Sequence, residues 1–304
     1  AAKKAGLKSV PGDEIFKLYD TYGFPIDLAR DIASDNNLIL DEGGFHREME
    51  MQRERARASW VGEEEAVSSI YRELLSETGK TEFAGYDTMQ TESVVKAILK
   101  EGKVVKEASK DEEVEVFLDK TPFYGESGGQ VGDTGEMTSD GFRAFVADTK
   151  KVIEGLHSHI IKIKDGELRV WDRVTCRVDT RRRKAIMSNH TATHLLQASL
   201  QNIIGEHVKQ AGSLVAADRL RFDFTHFFPI SRDEIRSIED TVNHKVLENI
   251  NVETSVMDIK DAVASGATAL FGEKYGETVR VVKVPGFSSE LCGGTHCKAT
   301  GDIG

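Results

Sequence analysis

The sequence predicts an α+β chain in three zones: a helical N-terminal segment over residues 1–65, a small antiparallel β-barrel over 66–179, and a mixed α+β domain over 180–304 that carries a metal-binding pattern. Three observations predict it. From about Asp13 to Trp60, apolar residues recur at helical spacing amid dense charge. From about Phe83 to Asp179 the apolar period drops to two, with turn signals between short runs and no helical spacers. Beyond Thr180 helical and alternating stretches interleave, and histidines and cysteines recur at metal-ligand spacing.

In chain order, Ile15, Phe16, Leu18 and Tyr19 open a helix that should stop near Gly23-Phe24-Pro25, because proline cannot continue it. A longer helix is expected after Gly43-Gly44, with Phe45 and Met49 on one face and the Arg/Glu run to Arg57 solvated. Val94–Leu99, Val114–Leu118 and Ile160–Ile163 read as strands. Glu101-Gly102-Lys103 marks a turn, and Asp165-Gly166 a hairpin candidate. Ala185–Ile204 and Asp233–Leu247 read as helices, Leu220–Thr225 as a half-buried strand, and Thr278–Val284 as a further strand. There is no internal repeat.

Composition narrows the class. A hydrophobic content of 39% and a charged content of 30% are ordinary for a globular protein. No apolar run approaches a membrane span and no signal peptide is visible, so no membrane partner is expected and the cytoplasm is the default location. A net charge of −11 argues against a broadly basic nucleic-acid binder. It leaves room for a local phosphate site, for which Arg181, Arg182, Arg183 and Lys184 are the candidates. Three cysteines, Cys176, Cys292 and Cys297, are too few for a disulfide framework and read as buried thiols or metal ligands. The chain starts at Ala1 and stops at Gly304 within a motif, which reads as a fragment.

His190-Thr191-Ala192-Thr193-His194 sets two imidazoles one turn apart on one helix face, able to share a metal. A zinc peptidase needs Glu as the second residue of this motif; here it is Thr191, so that reading fails. Cys292-Gly293-Gly294-Thr295-His296-Cys297 repeats the four-residue spacing. Together His190, His194, Cys292 and His296 offer three imidazoles and a thiolate, a donor set suited to one tetrahedral Zn2+ per chain. Cys297 competes as a thiol, although its side chain should diverge from that of His296. Spacing leaves open whether the ion is structural or catalytic. His157 and His159 are expected at the surface, and His207, His226 and His244 as isolated residues. Gly128-Gly129-Gln130 resembles the tripeptide of peptide-release factors, and equally a plain Gly-Gly turn in a β-rich domain.

Several segments occur in one order: Phe16 to Pro25, Thr121-Pro122-Phe123-Tyr124 with Glu126 to Gln130, Asn189 to Leu195, Arg221-Phe222-Asp223-Phe224, Leu270 to Tyr275 and Cys292 to His296. In series they resemble the alanyl-tRNA synthetase family over essentially the whole chain. The resemblance implies the end of the tRNA-recognition region followed by an editing unit, similar to the second additional domain of threonyl- and alanyl-tRNA synthetases. Such a unit hydrolyses serine or glycine from mischarged tRNA(Ala), with zinc on the four ligands above. It also implies that Thr193 and Gln210 line the amino-acid pocket, that Gln130 sits on the barrel facing that pocket, and that Asp20 helps read the acceptor stem. The ligase core and an oligomerising domain would lie outside this chain, so ATP-dependent activation of alanine is not expected of it. Two other readings stand beside this one: a free-standing trans-editing deacylase, and a tRNA-binding module with structural zinc. The leader from Phe16 to Pro25 disfavours the first, because free-standing forms lack it.

Overall fold

The structure, a computed structural model, describes residues 9–22, 26, 29–30, 33, 36, 38–268 and 276–304, with backbone only at 20–22 and 52–68. The chain forms two compact units, Ala1–Ile70 and Tyr71–Gly304.

In the first unit, helix α1 (Gly12–Tyr22) carries Asp13 and Glu14 in its first turn, where they complement the helix dipole. It buries Ile15 and sets the rings of Phe16 and Tyr19 6.5 and 5.7 Å from Phe45. The expected stop at Gly23-Phe24-Pro25 lies outside the described residues. Helix α2 runs from Glu42 to Thr78, so Gly43 and Gly44 lie inside its first turn instead of ahead of it. Asp41 caps that turn by accepting the Gly44 N–H at 2.8 Å. Gly12 is needed for closeness, since a Cβ there would run into the Gly44 backbone. The helix also outlasts the expected charged stretch, passing straight through Gly62 before it ends at Gly79, whose φ of +74° suits a left-handed cap.

The second unit starts with the barrel. Strands Gln90–Lys100, Glu113–Leu118, Leu156–Asp165, Phe142–Ile153, Gly135–Ser139 and Arg173–Val178 pair antiparallel in that order, and the last closes onto the first. Alternate residues point inward, so Val95, Val116, Met137, Val146, Ile161 and Ile163 fill the interior. The three expected strands fall within this set. The hairpin expected at Asp165-Gly166 does not form: the strand ends there, and Glu167–Arg169 instead pairs with Glu107–Ser109. Gly166 serves a close approach, because a Cβ there would strike the Gly141 carbonyl at the tip of a real hairpin.

His157 and His159 are corrected from surface to buried. Both lie on the Leu156–Asp165 strand, His159 fully enclosed with Nε2 2.7 Å from Thr121 Oγ1 and Nδ1 2.8 Å from the Val116 carbonyl. His157 stacks on Phe83. Burial pushes the His159 pKa down to about 3, against its bond to the Val116 carbonyl, and burial together with Lys151 takes that of His157 to about 4.

The α+β half begins with helix α3 (Thr180–Ile203), whose N-cap Asp179 accepts the Arg182 N–H at 3.0 Å. A hairpin of Lys209–Val215 and Leu220–Thr225 follows, then helix α4 (Arg232–Leu247), opened by a Ser231/Glu234 capping box. A three-stranded antiparallel sheet of Glu253–Asp258, Thr278–Val284 and Ser288–Leu291 completes it, with helix α5 (Ile259–Ala264) against the first two strands. The expected helices and strands of this half are all present. His207 and His226 are not isolated, however; their ring nitrogens approach to 2.9 Å at the exposed end of the hairpin. Among the described residues, no helix is long and apolar enough to cross a membrane.

Candidate metal centre

Helix α3 is buried on several sides along its middle, which is why its sequence lacks a simple apolar stripe. Its middle turns aim His190 and His194 at the loop leaving strand Ser288–Leu291, where Cys292 and His296 stand. One ligand atom from each of the four lies within 4.8 Å of all the others. Cys292 Sγ is 3.5 Å from His190 Nε2 and 3.3 Å from His296 Nε2. Donors 2.0–2.3 Å from a shared centre at the tetrahedral angle stand about 3.5 Å apart, so the set fits one metal ion.

The loop is tied down by the groups around it. Arg280 Nη1 donates to the Cys292 and Gly294 carbonyls, both at 2.9 Å, and Tyr86 Oη donates to the Gly293 carbonyl at 2.5 Å. The Arg280 guanidinium in turn lies 4.3 Å over the Tyr86 ring. Gly294 is required by the crowding, since a Cβ there would enter the His190 imidazole; Gly293 faces open space.

Each metal-facing histidine is held from behind at Nδ1. His190 Nδ1 is 2.8 Å from Gln130 Oε1, His296 Nδ1 is 3.2 Å from Thr191 Oγ1, and His194 Nδ1 is 3.2 Å from Glu290 Oε2, off the hydrogen-bonding angle. In the metal-free cluster, burial raises the Cys292 thiol, but the imidazoles of His190 and His296 outweigh it and hold the thiol well below its ordinary value. Burial presses His296 down to about 3, whereas at His194 it is overcome by Glu290 and Cys292, which lift that ring to about 10.

A cleft of about 790 Å³ opens onto this cluster, lined among others by His190, His194, Cys292, Thr193, Gln210 and Glu290. Thr193 Oγ1 donates back to the Asn189 carbonyl at 2.8 Å. Gln210 sits at a bulge where the hairpin register shifts between Gln210 and Gly212, a device that re-aims a side chain. The structure thus brings Thr193 and Gln210 to the same cleft as the ligands.

Other expected site residues are placed differently. Cys297 turns away, with Sγ 3.8 Å from Ser188 Oγ, and burial raises its thiol. The basic cluster divides. Arg181 and Lys184 are exposed, while Arg182 Nη1 donates to the Gly132 carbonyl at 2.7 Å. Arg183 is fully buried and pairs with Asp133, donating also to the Gly85 and Pro122 carbonyls at 2.7 and 2.8 Å. That corrects the expectation of a phosphate contact from Arg183, whose charge is already consumed inside the protein. The side chain of Asp20 and the segment Leu270 to Tyr275 lie outside the described residues. Sequence reasoning missed Gln130 as a partner of His190, and missed Thr191, Glu290, Arg280 and Tyr86 entirely. Only Gln130 had a local signal, the two glycines ahead of it.

Comparison with known proteins adds the context. Residues 1–182 match the family model of tRNA synthetases class II (A), and residues 279–304 match that of the threonyl and alanyl tRNA synthetase second additional domain. The chain is 48% identical over 304 residues to the alanine–tRNA ligase of Chelativorans sp. (strain BNC1), covering 96% of this chain and 34% of that protein. It is 50% identical over 295 residues to that of Anaeromyxobacter sp. (strain Fw109-5), covering 97% and 32%. It is 49% identical over 304 residues to that of Acetivibrio thermocellus, covering 99% and 34%. The chain therefore spans about a third of the length of the curated relatives it matches.

Proposed function

The chain belongs to the class II (A) tRNA synthetase family, and from that premise we propose that it is the hydrolytic editing region of an alanine–tRNA ligase, clearing Ser-tRNA(Ala) and Gly-tRNA(Ala). In this reading the ion is Zn2+, the domains run 1–65, 66–179 and 180–304, and the protein works in the cytoplasm on the acceptor end of tRNA(Ala). Full-length oligomerisation, if any, uses a domain outside this chain. The observation that carries the reading is the cleft lined by His190, His194, Cys292, Thr193 and Gln210, with His296 completing the cluster of three imidazoles and a thiolate.

The need for such a site is physical. A pocket built for alanine cannot strongly reject glycine, which is smaller, and rejects serine by only ~10², because the added hydroxyl meets no unpaired polar group. A second site can select for that hydroxyl. Thr193, its proton committed to the Asn189 carbonyl, offers lone pairs to it, and the Gln210 amide supplies both a donor and an acceptor. The substrate is an activated ester: water adds to its carbonyl, the bond to the ribose oxygen breaks, and that oxygen takes up the proton. Positioning and stabilisation of the developing oxyanion suffice, without a covalent nucleophile. When bound, the zinc supplies Lewis-acid polarisation and an anchor for the amino-acid end. His190, His194, Cys292 and His296 hold it, and the clamp of Arg280 and Tyr86 keeps the thiolate loop in place.

Deacylation of Ser-, Gly- and Ala-charged tRNA, with and without a chelator, tests the proposal. Serine and glycine should be released faster than alanine and chelation should suppress the release; equal rates on all three would overturn it. Arg181 and Lys184, the exposed members of the basic cluster, are assigned to the RNA backbone, with Asp20 on the acceptor stem. Neutralising Arg181 and Lys184 should flatten the salt dependence of tRNA binding by ~0.7–0.9 in slope per lost phosphate contact. An unchanged slope would remove both from the interface.

A further inference from the structure

We propose that Gln130, a barrel residue that ligates nothing, positions the metal centre by holding His190 in its Nδ1–H tautomer. The constraint starts from a backbone amide. Thr295 N is a fixed donor, and at 2.9 Å it faces Gln130 Oε1. The atom it faces must be an acceptor, which orients the Gln130 amide without appeal to hydrogen placement: oxygen toward Thr295 N, nitrogen toward Thr295 Oγ1 at 2.9 Å. The reverse orientation would set two donors against each other in a side chain with no exposure at all. The same oxygen lies 2.8 Å from His190 Nδ1. An acceptor there obliges Nδ1 to carry the proton, so Nε2 presents its lone pair, and Nε2 is the nitrogen 3.5 Å from Cys292 Sγ.

The chain of constraint reaches back into the barrel. The turn bearing Gln130 is stitched to the Gln210 strand by Val131 N to the Val215 carbonyl at 3.1 Å and Val215 N to the Gly129 carbonyl at 2.7 Å. Gly129 adopts φ +81° and has no room for a Cβ, which would meet Ser213. The Gly128-Gly129-Gln130 turn therefore sets the protonation pattern of a ligand 60 residues away. Gln130 is fully buried and does not line the cleft, so within this turn it acts through the histidine it holds.

The inference rests on the metal centre but not on the editing activity, and its test needs no tRNA. In the metal-free protein near pH 8, long-range 1H–15N spectra should show His190 as the Nδ1–H form, and an Nε2–H form would overturn the proposal. Zinc affinity, read by competition with a chromophoric chelator, should fall about 10–100-fold in Gln130→Leu. It should be kept or tightened in Gln130→Glu, where a carboxylate accepts from both neighbours. Leucine at wild-type affinity, or a folded glutamate variant that loses zinc, would show that Gln130 only fills space. If Gln130→Leu does not fold, the wild-type tautomer and the glutamate variant still decide.

Discussion

Arg183 illustrates how a single side chain can be misread when only its neighbours in sequence are visible. It follows two arginines and precedes a lysine, yet it occupies the seam between barrel and helix α3, paired with Asp133 and sealed from solvent. Arg183→Ala would leave the Asp133 carboxylate buried without its counter-charge, with only the Tyr124 N–H to accept from, and should destabilise the protein by about 3–5 kcal/mol in denaturant titration; a change below 1 kcal/mol would contradict that account. Gln210→Ala should do the opposite kind of damage, slowing Ser-tRNA deacylation at unchanged zinc content and stability. Wild-type rates in that variant would remove Gln210 from the pocket. The cluster of His190, His194, Cys292 and His296 was legible because soft and borderline donors at four-residue spacing point to their own chemistry. Gln130 and Glu290 were not, because each meets its histidine only after the chain has folded back over many residues.

Among elements, five strands and the two long helices of the second unit were legible from periodicity, since burial there follows alternation; the remaining strands were not singled out. Turns were less so. Asp165-Gly166 has hairpin composition, but its glycine serves contact with Gly141, which local sequence cannot show. Helix α2 runs well beyond the charged stretch to Arg57 on which it was read, since a single interior glycine, Gly62, does not end it. Glycines can be ranked by what crowds them. Gly129→Ala combines positive φ with a collision against Ser213, whereas Gly102, at φ +73°, faces nothing within 4 Å. The unfolding free energy from urea titration should fall by about 1–2 kcal/mol for Gly102→Ala, from φ alone, and by clearly more for Gly129→Ala. Equal losses would mean that the crowding at Gly129 relaxes without cost.

For the whole molecule, acid sensitivity is written into the barrel. His157 and His159 bind no proton in the folded state until about pH 4 and about pH 3, while the unfolded chain takes them up near 6.5. The unfolded state thus holds more protons below 6.5, so their contribution is flat above that pH and is lost as the pH falls toward those values. Each should remove up to about 2 kcal/mol by pH 5. His157→Phe, which keeps a ring against Phe83, should flatten the fall in melting temperature between pH 7 and 5; an unchanged slope would acquit His157. The spacing of the ligands has a different consequence at this scale. His190 and Cys292 are 102 residues apart in sequence and side by side in space. A metal joining them would close a ring of chain that holds the hairpin, helix α4 and the whole three-stranded sheet. Like a disulfide, such a clasp acts largely on the unfolded chain by denying it expanded conformations, by about 4–5 kcal/mol on loop entropy. A bound ion would then be a reversible knot in the thread, untied by any competitor strong enough to take it.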